Sequence, residues 1–322
     1  MNQTSTLPAG FARVLGWRGW SRLLEAALTL MLLALLCFAL LHAAPGGPFD
    51  GEREFDPALR ARLIAEYRLD QPWLQQFLHY LGGALRGDFG HSFQYPDYRV
   101  SELLMSGFAV TATLGGIALL LASLLGVAAG SLAAWTPGGV SDRCIGSASL
   151  LGLALPKFVL APLLILAFAV GLGWLPAGGF DWQQRATWVL PIVTLALPNL
   201  AAITRLSRDS VQGILASAYL RAARARGIEG LALYRRHVLR PLALGVLGWL
   251  GPALIAVLTG STVVEQIFGL PGVGRYFVQG ALNRDYSLVM GVALAAGALI
   301  VLTNLLIDGL RAWLDPRLRS EH

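Results

Sequence analysis

The stretch that decides the fold runs from Leu103 to Ser141 and reads LLMSGFAVTATLGGIALLLASLLGVAAGSLAAWTPGGVS. It contains no charged residue. A helix that crosses a bilayer needs about 20 consecutive, mostly apolar residues. This stretch is long enough for one such helix and a turn after it, and we predict the span at 108–135.

The composition of the whole chain agrees with a membrane protein. Hydrophobic residues make up 55% of the 322 residues and charged residues 14%, whereas a soluble domain carries about 25% charged residues. A soluble fold of this size could not bury so much apolar surface. We therefore predict an all-α membrane protein with six transmembrane helices. The other five spans are predicted at 23–42, 145–171, 186–204, 241–264 and 286–307.

The arginines predict the orientation of these spans. Six spans leave both termini on one side, and more of the arginines near span ends fall on that side than on the other. Cytoplasmic segments carry the excess of basic residues, so 1–22 and 313–322 are predicted to be cytoplasmic. The segment 43–107 then lies outside. It has two amphipathic helical patterns, which begin near Asp56 and Trp73.

Several functional classes are excluded by the residues that the chain lacks. The single lysine is Lys157, and Phe158 follows it, so the chain has no Gly-Lys-Ser/Thr loop for nucleotide phosphates. The arginines lie between apolar stretches and not on one face, which argues against nucleic acid and for lipid. The five histidines and two cysteines have no metal-ligand spacing. Because the spans also lack a catalytic pair, we expect no enzyme, no metal and no cofactor.

The predicted inner segment between the fourth and fifth spans has a pattern of its own. Ser217 can cap a helix start, and Gly227 can end that helix in the left-handed conformation. A second helix follows from about residue 231, with His237 and Pro241 at its end. Small side chains share one face of the first helix and permit close docking to a cytosolic partner; they are Ala218, Ala222 and Ala225. The alternative is a basic loop that only satisfies the charge rule.

A resemblance to a known family is carried by this segment. Ala222-Ala223-x-x-x-Gly227, followed by His237 and Pro241, resembles the coupling motif of bacterial ABC importer permeases, in which a Glu stands where this chain has Arg221. Five further segments resemble the oligopeptide and dipeptide importer permeases of the B type in the same order; they are 41–52, 87–93, 265–274, 281–286 and 315–317.

The resemblance implies an architecture and a set of partners. The fold would be that of a type I ABC importer permease, with its transmembrane domain at 108–312 and a coupling helix at about 217–227. The partners would be a second homologous permease, two ATPase subunits that bind ATP and Mg, and a periplasmic peptide-binding protein, at the bacterial inner membrane. The implied ATPase-coupling residues are Tyr219, Arg221, Ala222, Ala223, Gly227, His237 and Pro241.

Two further places are candidates for a gate or a translocation pathway. Glu265 ends the fifth span and is followed by Gly269, Pro271 and Gly272. We interpret this as a broken segment that lines protein or a cavity, or else as an interfacial carboxylate. Lys157 lies inside the third span, where it could face a cavity and hold a peptide carboxylate, pair with an acidic residue, or reach the interface through its stem.

Three questions stay open at this point, two about the function of the chain and one about the second span. The importer could carry another small solute, such as a nickel chelate, an opine or a peptide antibiotic. The chain could be a secondary transporter that works alone, although such proteins have internal inverted repeats and none is evident in this sequence. The small residues of the second span, Gly126, Gly130 and Ser131, could serve helix packing or line a pathway.

Overall fold

A computed structural model describes residues 17–43 and 70–314 of the chain. The regular elements within those ranges are helices, and their order follows the chain. They are α1 (Trp17–Ala43), α2 (Trp73–Ala84), α3 (Val100–Trp135), α4 (Val140–Ala154), α5 (Lys157–Leu164), α6 (Ala186–Leu215), α7 (Ala218–Ala225), α8 (Gly230–Leu233), α9 (Leu239–Phe268), α10 (Val273–Leu282) and α11 (Tyr286–Leu314). Two short π-helical segments, π1 (Ile165–Gly171) and π2 (Tyr234–Val238), follow α5 and α8. The first amphipathic pattern of the 43–107 segment lies outside the described residues, and α2 is the second.

Five helical stretches in the described ranges are long and apolar enough to cross a membrane. Each of them overlaps one of the predicted spans, so five of the six predictions are confirmed as helices of sufficient length. The stretches are Arg22–Ala43, Val100–Trp135, Ala186–Leu215, Gly230–Val257 and Tyr286–Ile307.

The third predicted span differs from a single helix. The segment predicted as one span over 145–171 consists of α4 and the α5–π1 helix, which meet at an angle of 104° and form either a broken span or a re-entrant loop. Pro156 disfavours helical geometry in the residue before it, and Leu155 is indeed extended, with φ −84° and ψ 111°. The count reaches six only if this bent pair is taken as one span.

The chain divides into two compact units. The first unit comprises Met1–Ala109 and Pro271–Leu302, and the second comprises Val110–Leu270 and Thr303–His322. The first unit has two apolar clusters; their buried members are Ala34, Phe38, Phe77 and Met290 in one, and Val100, Leu103, Leu104, Val273, Leu288 and Val292 in the other.

The second unit is organised around α6. This helix packs against α4, α5 and α9, and its buried face contributes to the two largest clusters of that unit. Arg208 on α6 also binds Asp142 on α4 through both carboxylate oxygens. Asp142 accepts a third hydrogen bond from the Gly138 N–H at 2.8 Å, so a charge-assisted network joins the α3–α4 turn to α6.

The small residues of α3 serve helix packing, which was one of their two interpretations. A methyl group at Gly130 would lie 2.3 Å from the Thr204 carbonyl oxygen and 2.7 Å from the Ser207 Cβ. A methyl group at Gly126 would lie 2.9 Å from an Ile203 side-chain carbon. The absence of side chains at both positions therefore lets the backbones of α3 and α6 approach each other closely.

We predict that Gly130→Ala destabilises the protein although alanine is the better helix former. The added methyl group has no space against α6, and overpacking of this kind costs about 1–3 kcal/mol. Gly116→Ala is the matched control, because nothing lies within 4 Å of its added Cβ, and it gains about 0.5–1 kcal/mol of helix propensity. Apparent melting temperatures of the purified protein, measured at one scan rate, should fall for Gly130→Ala only. Equal shifts in the two variants would contradict the close contact.

Candidate functional site

The segment between α6 and α9 begins with a capped helix. The Ser217 hydroxyl oxygen accepts a hydrogen bond from the Leu220 N–H at 3.3 Å and donates to the Ile214 carbonyl at 2.7 Å. Ser217 is extended, with φ −69° and ψ 149°, as an N-cap residue should be. The prediction of a helix start at Ser217 is confirmed.

The helix ends at Gly227 in the predicted conformation. Gly227 has φ +76°. Its N–H bonds the Arg224 carbonyl at 2.8 Å, and the Ile228 N–H bonds the Ala223 carbonyl at 3.3 Å. This pair of bonds is the Schellman motif. Because nothing lies within 4 Å of a Cβ built at Gly227, glycine is required there by the backbone conformation and not by lack of space.

The two faces of α7 have different surroundings. Leu220 and Ala223 are 0% exposed and belong to an apolar cluster that also holds Leu233 and Val238. The opposite face is exposed and includes three small side chains, which are Ala218, Ala222 and Ala225. This agrees with the predicted alanine face. Ala223, which is one of the implied coupling residues, lies on the buried face instead, and its role in coupling stays a prediction.

Two further contacts hold α7 in place. The Arg221 guanidinium donates to the Ala216 carbonyl at 3.1 Å, at the end of α6. The Tyr219 hydroxyl is hydrogen-bonded to His237 Nδ1, and their rings lie edge to face with centroids 5.2 Å apart. The structure thus brings together Tyr219 and His237, which are 18 residues apart in the sequence.

The transition from α7 to α9 passes through the π2 segment. The Leu239 N–H reaches back to the Tyr234 carbonyl, so one extra residue is accommodated in that turn. Pro241 follows two residues later, where it offers no N–H to the His237 carbonyl and its ring crowds that carbonyl. The wider π turn therefore accommodates Pro241, which is exposed at the start of α9.

Tyr234 is a residue of this site that the sequence analysis missed. Its hydroxyl is hydrogen-bonded to Ser131 Oγ on α3 at 2.9 Å, and its ring lies 5.9 Å from that of Trp135. These contacts fasten π2 to the end of α3. A signal was available in the sequence, because an aromatic residue with a polar tip stands out in an otherwise basic segment.

Glu265 is buried near the far end of α9. It is 2% exposed, and the Thr111 hydroxyl donates to its Oε1 at 2.7 Å. The helix then ends at Gly269, with φ +66°, and the Leu270 N–H bonds the Glu265 carbonyl at 2.8 Å. Glu265 is therefore enclosed by protein and is not an exposed interfacial carboxylate.

Pro271 and Gly272 belong to the first unit. Gly272 is extended and precedes α10. Pro271 borders an open groove of about 560 Å³, which is lined mainly by aromatic and polar side chains; they include Tyr95, Tyr98, Glu102, Arg275, Tyr276 and Gln279. The Tyr95 hydroxyl donates to Gln279 Oε1 at 2.8 Å across the groove wall.

Lys157 is the first residue of α5, directly after the bend at Pro156. It is half-buried, and no hydrogen bond or ion pair joins its ammonium group to another residue of the described ranges. Pairing with an acidic residue is therefore not observed there, and the other two interpretations stay predictions.

Two of the segments that carried the family resemblance meet at Asp285. The carboxylate is 0% exposed; it accepts hydrogen bonds from the Ser92 hydroxyl at 2.5 Å, the Gln94 N–H at 3.1 Å and the Leu288 N–H at 3.0 Å. Burial raises the pKa of the Asp285 carboxyl, and the Ser92 hydroxyl with the backbone N–H groups acts in the opposite direction. The sequence analysis did not connect the two segments, although an Asp before an apolar helix is an N-cap signal.

No three His, Cys, Asp or Glu side chains of the described part of the chain lie close enough together to hold a metal ion.

Comparison with known proteins gives consistent matches. The family described as binding-protein-dependent transport system inner membrane component matches residues 126–320. The oligopeptide transport system permease protein OppB of Escherichia coli K12 is 44% identical over 298 residues, which cover 92% of this chain and 97% of that protein. The dipeptide transport system permease protein DppB of Bacillus subtilis 168 is 36% identical, with 91% and 94% covered.

A solved structure has a similar fold. A chain of the inward-facing MetNI methionine ABC transporter superposes with a TM-score of 0.54 and 20% sequence identity. The match covers 66% of this chain and 96% of that chain. At this identity the match supports the helical architecture of the permease and nothing about its cargo.

We predict that Gly227→Val loosens α7 from its seat while Gly227→Asn leaves it in place. A β-branched residue in the left-handed conformation costs about 1–2 kcal/mol, whereas Asn adopts it more readily. Trypsin cuts after Arg221 and Arg224, which lie within α7, only when this helix opens locally. A cost of one to two kcal/mol corresponds to about 5- to 30-fold in the open population. Cleavage within α7 should accelerate to that extent in Gly227→Val alone, and equal rates in the two variants would refute the role of Gly227.

Proposed function

The chain belongs to the family of binding-protein-dependent transport system inner membrane components, and on that premise we propose that it is the permease subunit of an ATP-driven ABC importer of oligopeptides or dipeptides. The observation that carries the proposal is the identity of 36–44% to peptide-transport permeases over more than nine-tenths of the chain. ATP would be hydrolysed by separate ATPase subunits, and a binding protein would deliver the peptide.

The geometry of α7 supports its role as the docking element for an ATPase subunit. Its outward face presents the small side chains of Ala218, Ala222 and Ala225, and the guanidinium of the adjacent Arg221 is bonded to the Ala216 carbonyl, so a groove can approach the alanines closely. Its inward face is fixed by Leu220 and Ala223 in the apolar cluster. Because its outward face has small side chains and its inward face is packed in the cluster, α7 can transmit a displacement of the ATPase subunit to its own chain.

The continuity of α9 supports coupling between two distant places. The segment with His237 and Pro241 lies at its beginning, and Glu265 with Gly269 lies at its end. A helix of 30 residues extends over about 45 Å at ~1.5 Å per residue, whereas the hydrocarbon core of a bilayer is about 30 Å thick. A movement of α7 and π2 would therefore be carried to the opposite side of the membrane along one continuous helix, which contains Pro252 in its interior.

The side chains near Glu265 suit a gate at that far end. Glu265 and Thr111 connect α9 to α3, and the Gly179 N–H bonds the Phe268 carbonyl at 2.7 Å. These polar contacts join three parts of the second unit where α9 stops. A displacement of α9 would have to break or shift them, which would couple α9 to the opening of a pathway there.

The proposed orientation places both termini and α7 in the cytoplasm of a bacterial cell, with the inner membrane as the location. Exposed arginines gather around α7 and π2, as expected for a cytoplasmic segment; they are Arg221, Arg224, Arg226, Arg235 and Arg236. In the same arrangement the loop before α11 lies in the periplasm, where a binding protein approaches, and a second homologous permease completes the pathway.

We predict that a cysteine at Glu229 is labelled only from the cytoplasm and cysteines at Asp97 and Leu282 only from outside. All three positions are exposed, so access to the reagent and not burial decides the result. The native Cys37 and Cys144 are first replaced by serine, and a membrane-impermeant maleimide is applied to intact cells and to inverted vesicles. Labelling of the Glu229→Cys variant in intact cells would overturn the orientation.

We predict that Ala222→Trp abolishes peptide uptake and binding of the ATPase subunits, whereas Ala222→Ser preserves both. The position is exposed on the small-residue face, so a large ring there obstructs a close partner without disturbing the packing of α7. Uptake of a radiolabelled peptide and co-purification of the ATPase subunits are measured together. Normal uptake by the Trp variant would mean that this segment is only a basic loop.

A further inference from the structure

The helix α2 has three kinds of surface along its length. One face packs inward through Phe77, which is 6% exposed, with Tyr80 half-buried beside it. A second face is apolar and exposed; it carries Leu74, Leu78 and, just beyond the helix end, Leu85. A third face is polar and exposed; it carries Gln75, His79 and, again just beyond the end, Arg86. At 100° per residue the leucines lie between the inward and the polar faces.

The position of α2 relative to two spans is fixed by direct contacts. The Phe77 ring lies edge to face with that of Phe38 near the end of α1, at a centroid distance of 5.4 Å. The His42 ring, in the last turn of α1, is hydrogen-bonded to Gln76 at 3.1 Å and lies 5.5 Å from the ring of Tyr286. One candidate span ends at Ala43 and another begins at Tyr286. The helix α2 therefore lies where two spans reach the membrane surface.

The helices α1 and α2 both expose apolar side chains. Along α1 the exposed side chains at four-residue spacing are apolar; they are Leu24, Leu28, Leu32, Leu36 and Leu40. In a membrane-spanning helix this row contacts lipid chains. The last turns of α1 contact α2 through the Phe38 and Phe77 rings, and the exposed side chains of α2 include Leu74, which is 50% exposed, and Leu78, which is 57% exposed.

We propose that α2 is an interfacial helix that lies in the outer surface of the bilayer, with Leu74, Leu78 and Leu85 among the upper acyl chains. Gln75, His79 and Arg86 then face the headgroups and water. A helix with an apolar side and a polar side, short of a full span, is the type that settles at this depth. Trp73, which is 57% exposed at its first turn, is a residue type that favours the same interface.

This assignment rests on the membrane-spanning arrangement of α1 and α11 and holds for any cargo. It gives α2 two functions that differ by face. The leucine face anchors the first unit to the lipid surface, and the polar face with His79 and Arg86 stays available to water-soluble partners. The leucine face, which must be shielded from water, is thereby separated from the polar face, which can remain in water.

The test places a fluorophore on each face of the full chain, purified with its partner subunits and reconstituted in vesicles of phosphatidylethanolamine and phosphatidylglycerol. After replacement of Cys37 and Cys144 by serine, single cysteines at Leu78, His79 and Leu28 are labelled with NBD. Nitroxide-labelled acyl chains should quench the probe at Leu78→Cys several-fold more than at His79→Cys. Aqueous iodide should have the opposite order. Leu28→Cys on α1 is the control for lipid contact.

The outcomes separate this inference from the assignment on which it rests. If lipid nitroxide quenches the probe at Leu28→Cys but iodide quenches Leu78→Cys as strongly as His79→Cys, the interfacial helix is refuted and the spans stand. If neither quencher reaches Leu78→Cys, a protein partner covers that face and the inference is equally refuted. If lipid nitroxide does not reach Leu28→Cys, the membrane-spanning assignment of α1 itself fails.

Discussion

The backbone hydrogen bond is the interaction on which the rest of this structure depends. In hydrocarbon no water can satisfy a free N–H or C=O group, so a chain crosses as helix and interrupts the helix only where other bonds replace the missing ones. The breaks of this chain follow that constraint. Pro156 produces the 104° bend, and π1 and π2 shift the hydrogen bonds to five-residue spacing. Two of the candidate functional residues lie at such breaks, because Lys157 follows Pro156 and His237 belongs to π2.

The helices α7 and α9 both end at a glycine in the same backbone conformation, but the surroundings of the two turns differ. Gly227 and Gly269 both have positive φ, and in each case the following residue bonds back to a carbonyl five positions earlier. At Gly227 the reversal leaves the exposed alanine face of α7 outward. At Gly269 it closes α9 beside the buried Glu265. A Schellman turn satisfies two of the last carbonyls locally, and at the end of α9 the Gly179 N–H satisfies the Phe268 carbonyl as well.

The sequence predicted the features that depend on neighbouring residues in the chain. It did not predict the features that depend on contacts between distant parts of the chain. Ser217 and Gly227 act within one turn, and their roles followed from residue type. The 145–171 span was predicted without its 104° bend, because a hydropathy average does not register that Pro156 interrupts the helix. The burial of Ala223 and the contacts of Tyr234 depend on α3 and α9, which no local pattern of α7 specifies. The bond between Ser92 and Asp285 joins residues 193 positions apart, and spacing alone cannot indicate such a pair.

This chain has Arg221 where the resembling coupling motif has a Glu. The difference distinguishes the features of the motif that depend on side-chain size from the feature that depends on charge. In this chain the guanidinium bonds the Ala216 carbonyl at the carboxyl end of α6, where a cation is favoured by the helix dipole. The Glu of the resembling motif could not donate to that carbonyl and would face the same negative helix end. The alanine face and the Gly227 turn are nevertheless present in full. The features that this chain shares with the motif are therefore the small outward surface and the reversal after it, whereas the charge at position 221 serves the seating of α7 on its own chain.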